Sequence, residues 1–212
     1  MGDWSPTILA FMVRVTADVK ETTRTRLLAA AAQEFARVGF ERANVDGISL
    51  AAGYAKGTIY NYFPSKEELF LGVVEEASAQ AAATAPAPTD ASAWERLMAV
   101  LAGFCSWAEQ QDPLARVLVR ECLMGTPGLY PRVISAEWPL TARLEVITAN
   151  GIHNGELRGD TAADLLALAI AGLTDLALAQ HWASDGARPS LAEIPALVLT
   201  LLVGPRRTGS DP

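Results

Sequence analysis

Two cysteines, two histidines and a 7% share of aromatic residues are all that the 212-residue sequence offers of the side chains that most often build metal and catalytic centres. Cys105 and Cys122 lie in apolar stretches with no secretory signal ahead of them, which predicts two reduced, buried thiols rather than a disulfide framework. His153 and His181 stand beside no carboxylate or cysteine at metal-ligand spacing, and His181 lies four residues before Asp185, a spacing that suits a surface pair. There is no glycine-rich phosphate loop and no nucleophile elbow. No catalytic residue, metal site or cofactor is therefore expected, and the chain is expected not to be an enzyme. Long apolar runs are also scarce. The one at residues 8–13 is too short to span a bilayer, is followed closely by Arg14 and Asp18, and lacks the frame of a signal peptide. The expectation is a soluble, cytoplasmic protein with no membrane partner. Residues 1–20 read as a poorly ordered extension, with Met12 as an alternative start.

Half of the residues are hydrophobic, with Ala and Leu foremost, and Val, Ile and Thr are scattered rather than alternating. That composition predicts an all-α fold. The net charge of −7 argues at first against a nucleic-acid partner, but its distribution is uneven. Residues 1–72 hold eight Lys/Arg and eight Asp/Glu, whereas the remainder holds nine against sixteen. The N-terminal third is neutral, so it alone permits phosphate contacts.

Apolar residues Leu28, Ala31, Phe35 and Val38 mark one face of a first helix over 22–38, ended by Gly39. Asn44 can cap a second helix over 45–52, stopped by Gly53, and a third short helix over 55–63 ends at Pro64. Ser65 and Glu68 form a capping-box signature for the fourth. The same signature recurs at Ser92/Glu95, Thr161/Asp164 and Ser190/Glu193, and predicts helices over 92–111, 161–183 and 190–203. Pro195 places the start of the last one in question. Residues 113–124 and 135–150 also read as helices, giving about nine in all. The Ala/Pro/Thr segment at 81–90 is the linker candidate.

The informative stretch is 43–66, ANVDGISLAAGYAKGTIYNYFPSK. Two short helices joined by a glycine turn have the geometry of a helix-turn-helix, whose second helix lies in the DNA major groove. Ile59 and Phe63, four apart, point inward, which leaves Lys56, Gly57, Tyr60 and Asn61 on or near the other side. Lys56 offers charge to phosphate or donors to guanine, and Gly57 permits close backbone approach. The hydroxyls of Thr58, Tyr60 and Tyr62 and the Asn61 amide suit phosphate oxygens, as does Lys66 at the start of the fourth helix. On pattern alone such a pair suits a helical core, or an adaptor without a DNA role, as well as it suits a groove.

Residues 22–70 resemble the DNA-binding domain of the TetR/AcrR family of regulators along their whole length. The likeness runs from Val-Gly-Phe at 38–40 through Asn-Val-x-x-Ile and Ala-Ala-Gly to Lys-Gly-Thr-Ile-Tyr-Asn-Tyr-Phe-Pro-Ser-Lys-Glu-Glu-Leu. It implies base-edge contacts from Lys56 and Gly57, and phosphate contacts from Asn44, Thr58, Tyr60, Asn61, Tyr62 and Lys66. Four positions depart from the family pattern: Asn44 for Thr, Ser49 for Ala, Tyr54 for a small aliphatic residue and Ala55 for a capping Ser. Loss of that cap costs on the order of 1 kcal/mol.

Beyond residue 90 the resemblance rests on architecture. It implies a helix-turn-helix domain over 21–70, a ligand-binding and dimerisation domain over 71–205, and a tail over 206–212. The segment 150–160, NGIHNGELRGD, looks like the turn before the last two helices, which in these regulators pair with their copies. Leu166, Leu173, Leu176, Leu197 and Leu201 are the candidate contacts of that homodimer. Met98, Leu101, Phe104, Trp107, Arg120 and Trp138 are candidates to line a pocket for a hydrophobic or aromatic effector. The implied function is a ligand-responsive repressor, released by its effector from a palindromic operator on double-stranded DNA.

Overall fold

A computed structural model describes residues 6–84, 90–184 and 189–204, with side chains described from residue 18 onward except at 130–138. The tail at 206–212 and residues 1–5 lie outside it. Among the described residues there are eight α-helices, one short 3₁₀ helix and no strands: α1 (Pro6–Arg42), α2 (Val45–Ala51), the 3₁₀ helix (Thr58–Asn61), α3 (Lys66–Ala83), α4 (Ala93–Gln110), α5 (Asp112–Met124), α6 (Tyr130–His153), α7 (Ala163–Ala183) and α8 (Ile194–Leu202). The chain forms two compact units, Met1–Val73 and Val74–Pro212.

In the first unit, α1 begins at Pro6, where the sequence alone suggests an extension to residue 20 and a helix from residue 22. The reason is local. Residues 7–38 contain no glycine or proline, and Pro6 itself suits a first helical position. The threonines that read as a helix start are back-bonded inside it. Thr22, Thr23 and Thr25 donate their hydroxyls to the carbonyls of Asp18, Val19 and Glu21 at 2.8, 2.9 and 3.0 Å. Gly39, at φ 80°, interrupts the helix as expected. Beneath it Phe35, Phe40 and Phe70 form an aromatic cluster, with Phe70 edge-on to the other two at 5.0 and 5.1 Å between centroids. Leu27, Leu28, Ile48, Ile59 and Leu69 complete this core.

Helix α3 belongs to both units, because the division falls within it between Val73 and Val74 rather than in the 81–90 linker. Leu69, Phe70 and Val73 are buried, and Gly72 packs so closely on Phe63 that an added Cβ would lie 3.0 Å from its ring. The first two turns of α3 are thereby committed to the first unit. The Ala-rich remainder continues to Ala83 because alanine has the highest helix propensity and nothing interrupts it.

The second unit packs α4 against α5, α6 and α8, and α7 against α5, α6 and α8. Its core includes Leu97, Val100, Val117, Leu144, Ile170 and Val198. The expected capping boxes fare differently. Ser92 and Glu95 form theirs in full. Thr161 does not cap α7, which starts two residues later behind Ala162 without a side-chain cap. Glu193 accepts from the Ser190 amide at 2.9 Å, but α8 begins only at Ile194, where Pro195 falls in the first turn, the one place a helix tolerates it. Helix α7 has the length and mean hydropathy, 1.5, of a membrane span, yet it carries a buried Asp175 and packs against three neighbours.

The 150–160 turn joins these layers. Glu156 accepts a hydrogen bond from the backbone amide of Ala93 at 2.5 Å, which satisfies an orphan donor at the start of α4. Gly151, buried in α6, makes this approach possible. A Cβ there would meet Ala93 Cβ at 2.5 Å and Leu157 Cγ at 2.7 Å, both on fixed elements. Gly151→Ala is expected to destabilise the second unit by about 1–3 kcal/mol, the usual range for overpacking. Chemical denaturation followed by circular dichroism reads this directly, and an unchanged midpoint would refute the close approach.

Candidate DNA-binding interface

The segment 43–66 folds into two short elements and a turn. Asn44, in an extended conformation, caps α2 by accepting from the Gly47 amide at 3.2 Å. Its Oδ1 is thus engaged, and its amide nitrogen retains donors. Ile48 and Ser49 are buried beneath α2.

The second element is shorter and tighter than the expected 55–63 helix. It is a 3₁₀ helix over Thr58–Asn61, preceded by Gly57 at φ 81°. A left-handed residue cannot sit within a right-handed helix, so the regular part starts after Gly57, with no side-chain cap. The expected facing survives this change. Ile59 and Phe63 are 1% and 5% exposed, while Lys56, Tyr60 and Asn61 lie at the surface, Tyr60 at 49%. Thr58, Tyr62 and Gly57 are half-buried at the edges of the same face. Arg24 of α1 lies over the Phe63 ring at 5.6 Å, which backs the anchor with a cation–π contact.

Lys66 is also tied into the fold. Its Nζ donates to the Glu41 carbonyl at 2.8 Å and sits 5.0 Å from the centre of the Phe40 ring. The ammonium joins the end of α1 to the start of α3 and keeps further donors for an anion. Next to it, Glu67 has its carboxyl held below the usual range, chiefly by a hydrogen bond from its own backbone and then by Ser65.

The sequence signals the departures at 49, 54 and 55 but not that they compensate one another. Ser49, fully buried, donates its hydroxyl to the Ala55 carbonyl at 2.8 Å across the turn. The Tyr54 amide donates to the Ser49 carbonyl at 3.0 Å, and the Tyr54 hydroxyl to Thr23 of α1 at 3.3 Å. A hydroxyl six residues earlier thus fastens a turn that has no capping serine at 55. The one available signal was a polar residue at a position whose periodicity demands an apolar one.

The second unit holds a cavity of about 210 Å³ between α3, α4, α5, α6 and α7. Leu101 and Phe104, two of the six candidates, line it. Met98, Trp107 and Arg120 do not. Trp107 is drawn off by a hydrogen bond from its indole nitrogen to Gln80 at 3.2 Å, and Arg120 pairs with its neighbour Glu121 at 3.6 Å. Trp138 lies outside the described side chains. Of the candidate dimer contacts, Leu176, Leu197 and Leu201 are exposed, Leu173 is half-buried, and Leu166 is buried in the core of the unit. Leu166 points inward because it falls one residue out of the outward stripe, which is carried by Leu165, Leu168 and Leu176 instead.

An all-helical chain with a glycine-broken helix pair, whose second member turns lysine, tyrosine and asparagine outward, defines a helix-turn-helix DNA-binding regulator. Residues 27–73 match the model of the tetR family of bacterial regulatory proteins. The transcriptional repressor AcnR of Corynebacterium diphtheriae is 30% identical over 145 residues, 68% of this chain and 72% of that protein. Its namesake in Corynebacterium efficiens is 26% identical over 87% of this chain and 95% of its own length. In fold, the chain is similar to the transcriptional regulator FadR of Bacillus subtilis, solved in complex with stearoyl-CoA, with a TM-score of 0.73, 23% identity and coverage of 86% and 99%. The chain belongs to the tetR family. It is a DNA-binding transcriptional regulator and not an enzyme.

The fastening role of Ser49 is open to test. Ser49→Ala removes one buried hydrogen bond and is expected to cost about 1 kcal/mol. At this chain length that lowers the melting temperature by roughly 2–4 °C. A melting curve superimposable on the parent would remove the role.

Proposed function

We propose that the protein is a cytoplasmic, homodimeric repressor that a small hydrophobic or aromatic effector releases from a palindromic operator. The observation that carries this reading is the outward face from Lys56 to Asn61, held up from below by Ile59 and Phe63. Lys56 and the backbone at Gly57 reach base edges in the major groove, and Asn44, Thr58, Tyr60, Asn61, Tyr62 and Lys66 grip the flanking phosphates. An ammonium close to the O6 and N7 of guanine discriminates between bases, whereas the hydroxyl contacts set register.

Dimerisation is supported by α7 and α8. Leu165, Leu168 and Leu176 on one and Leu197 and Leu201 on the other leave large apolar side chains in water, which a monomer has little reason to do. Small residues, Ala169 and Gly172, lie between them and allow close approach of a facing helix. A two-fold dimer presents two recognition elements about 34 Å apart to successive major grooves, hence the palindrome. The cavity accommodates the effector. At about 210 Å³ it lies below the range of roughly 300–1,000 Å³ typical of drug-sized ligands, so the effector is small. Helix α3 supplies Ser78 and Ala81 to that cavity and Leu69 and Phe70 to the core under the DNA-binding face. An effector that binds the released arrangement more tightly shifts the population away from DNA.

Lys56→Ala combined with Tyr60→Phe tests the first part. Operator affinity, measured on genomic fragments selected with the parent protein, is expected to fall by about 2–4 kcal/mol with the circular dichroism spectrum unchanged. Undiminished binding would place the DNA contacts on another face, and failure of the parent to select any fragment would favour a helical adaptor. Leu176→Glu with Leu201→Glu tests the second. Sedimentation should then show monomers, and operator binding should collapse with the loss of bivalency. A dimer that survives both charges would locate the interface elsewhere.

A further inference from the structure

Helix α1 turns Leu27, Leu28, Ala31 and Phe35 into the core of the first unit, each 2% exposed or less. The same stripe continues toward the N-terminus through Arg24 and Lys20, four and eight residues before Leu28, and there changes from apolar to cationic. The change falls at the level of the recognition element. Tyr54, which leads into that element, gives its hydroxyl to Thr23 at 3.3 Å, and Phe63, which leaves it, lies under the Arg24 guanidinium at 5.6 Å. One turn of α1 thus lies against both ends of the segment that presents Lys56 to Asn61. Lys20 is the next residue of the stripe, roughly 6 Å further along the helix axis, and it is exposed. Neighbouring cations are engaged: Arg24 pairs with Glu21 at 4.0 Å, Arg37 with Glu34 at 2.6 Å, and Arg42 and Lys66 donate to the carbonyls of Val38 and Glu41. Lys20, Arg26 and Lys56 make no hydrogen bond, ion pair or ring contact among the described residues. Arg26, two residues past Arg24, points to the other side of the helix, as does Asp18, two residues before Lys20. Among the described residues, the unengaged cations that border the recognition element are therefore Lys20 and Lys56.

We infer that Lys20 holds a phosphate of the DNA backbone beside the recognition element, so that α1 contacts DNA as well as supporting the element that reads it. This extends the proposed DNA-binding face and rests on it. An element seated in the major groove has a sugar-phosphate backbone on either side, and a cation at its flank meets phosphate rather than base edges. The Lys20 ammonium has three donors, none of them spent within the protein, on a flexible four-carbon stem that covers the remaining distance. Such a point charge carries no sequence information. It adds affinity and fixes register. Residues 1–72 are neutral overall, so a single uncompensated cation at this face is a large share of the electrostatic part of binding.

The test compares the full-length parent with Lys20→Ala, Lys20→Arg and Lys56→Ala. Affinity is measured over a series of KCl concentrations, on genomic fragments selected with the parent and on scrambled duplexes of equal length. Lys20→Ala should weaken binding to both kinds of duplex by a similar factor, about five- to tenfold near ~0.1 M salt, and lower the slope of log affinity against log salt by about 0.9, the value of one phosphate contact. Lys20→Arg should restore both. The melting temperature of Lys20→Ala should match the parent, because the side chain has no partner to lose; a merely structural role would move the melting temperature and leave the slope. A parental slope in Lys20→Ala overturns the inference, and if Lys56→Ala still loses the selected fragments the 56–61 face stands without α1. A loss confined to the selected fragments assigns Lys20 to base reading and overturns the phosphate contact. If Lys56→Ala binds as the parent does while Lys20→Ala loses slope, the contact from α1 is upheld and the reading of the 56–61 face falls. A parent that binds neither kind of duplex overturns both.

Discussion

The seating of Ile59 and Phe63 in the first unit is the contact on which the function depends. The 3₁₀ helix above them is one turn long, uncapped and preceded by a left-handed glycine, and so has almost no stability of its own. Its direction is set from below and from the side. Two buried side chains give it a floor, the Phe35–Phe40–Phe70 cluster supports the neighbouring core, and Ser49 ties the entering strand of chain to α2. A face that reads base edges must be placed to within about half an ångström, and burial is what supplies that precision.

Most of this was legible in the residues. The inward positions 59 and 63 follow from i, i+4 spacing, and the surface character of Lys56, Tyr60 and Asn61 follows from them. Helix boundaries were legible wherever a cap acts locally, as at Ser92, and were lost where tertiary packing overrode it, as at Thr161. The start of α1 lies well before residue 22 because the apolar stripe at 28–38 marks only its second half, while nothing between residues 7 and 38 breaks the helix. Whether the recognition element is α or 3₁₀ turns on the sign of one φ at Gly57, which composition cannot reveal. Of the six candidate pocket residues only Leu101 and Phe104 line the cavity, because periodicity identifies an apolar face but not whether a ring on it is diverted by a partner, as Trp107 is by Gln80.

Helix α7 does three things with three faces. One packs Leu166, Ile170 and Leu178 into the core, one turns Asp175 and Thr174 to the cavity, and one leaves Leu165, Leu168 and Leu176 outside. Leu168 and Gly172 belong both to the cavity wall and to the exposed stripe. In the proposed dimer, a molecule seated in the cavity would touch residues that a facing α7 also touches, so binding and subunit packing would not be independent. This gives a route from effector to quaternary structure that needs no chain of intermediaries, only one helix with two occupied sides.

The charge pattern bears on the proposed release. All seven excess negative charges lie beyond residue 72, so the body of the protein repels DNA while the N-terminal unit is neutral. With no long-range attraction to hold a misplaced head near the duplex, each recognition element binds through a few short contacts and little else. In the proposed dimer, affinity would then rest on two heads engaging together, and the second engagement would be lost once their spacing departs from that of successive grooves. A strongly basic domain would cling non-specifically after such a shift. In the proposed mechanism an acidic body would convert it into release.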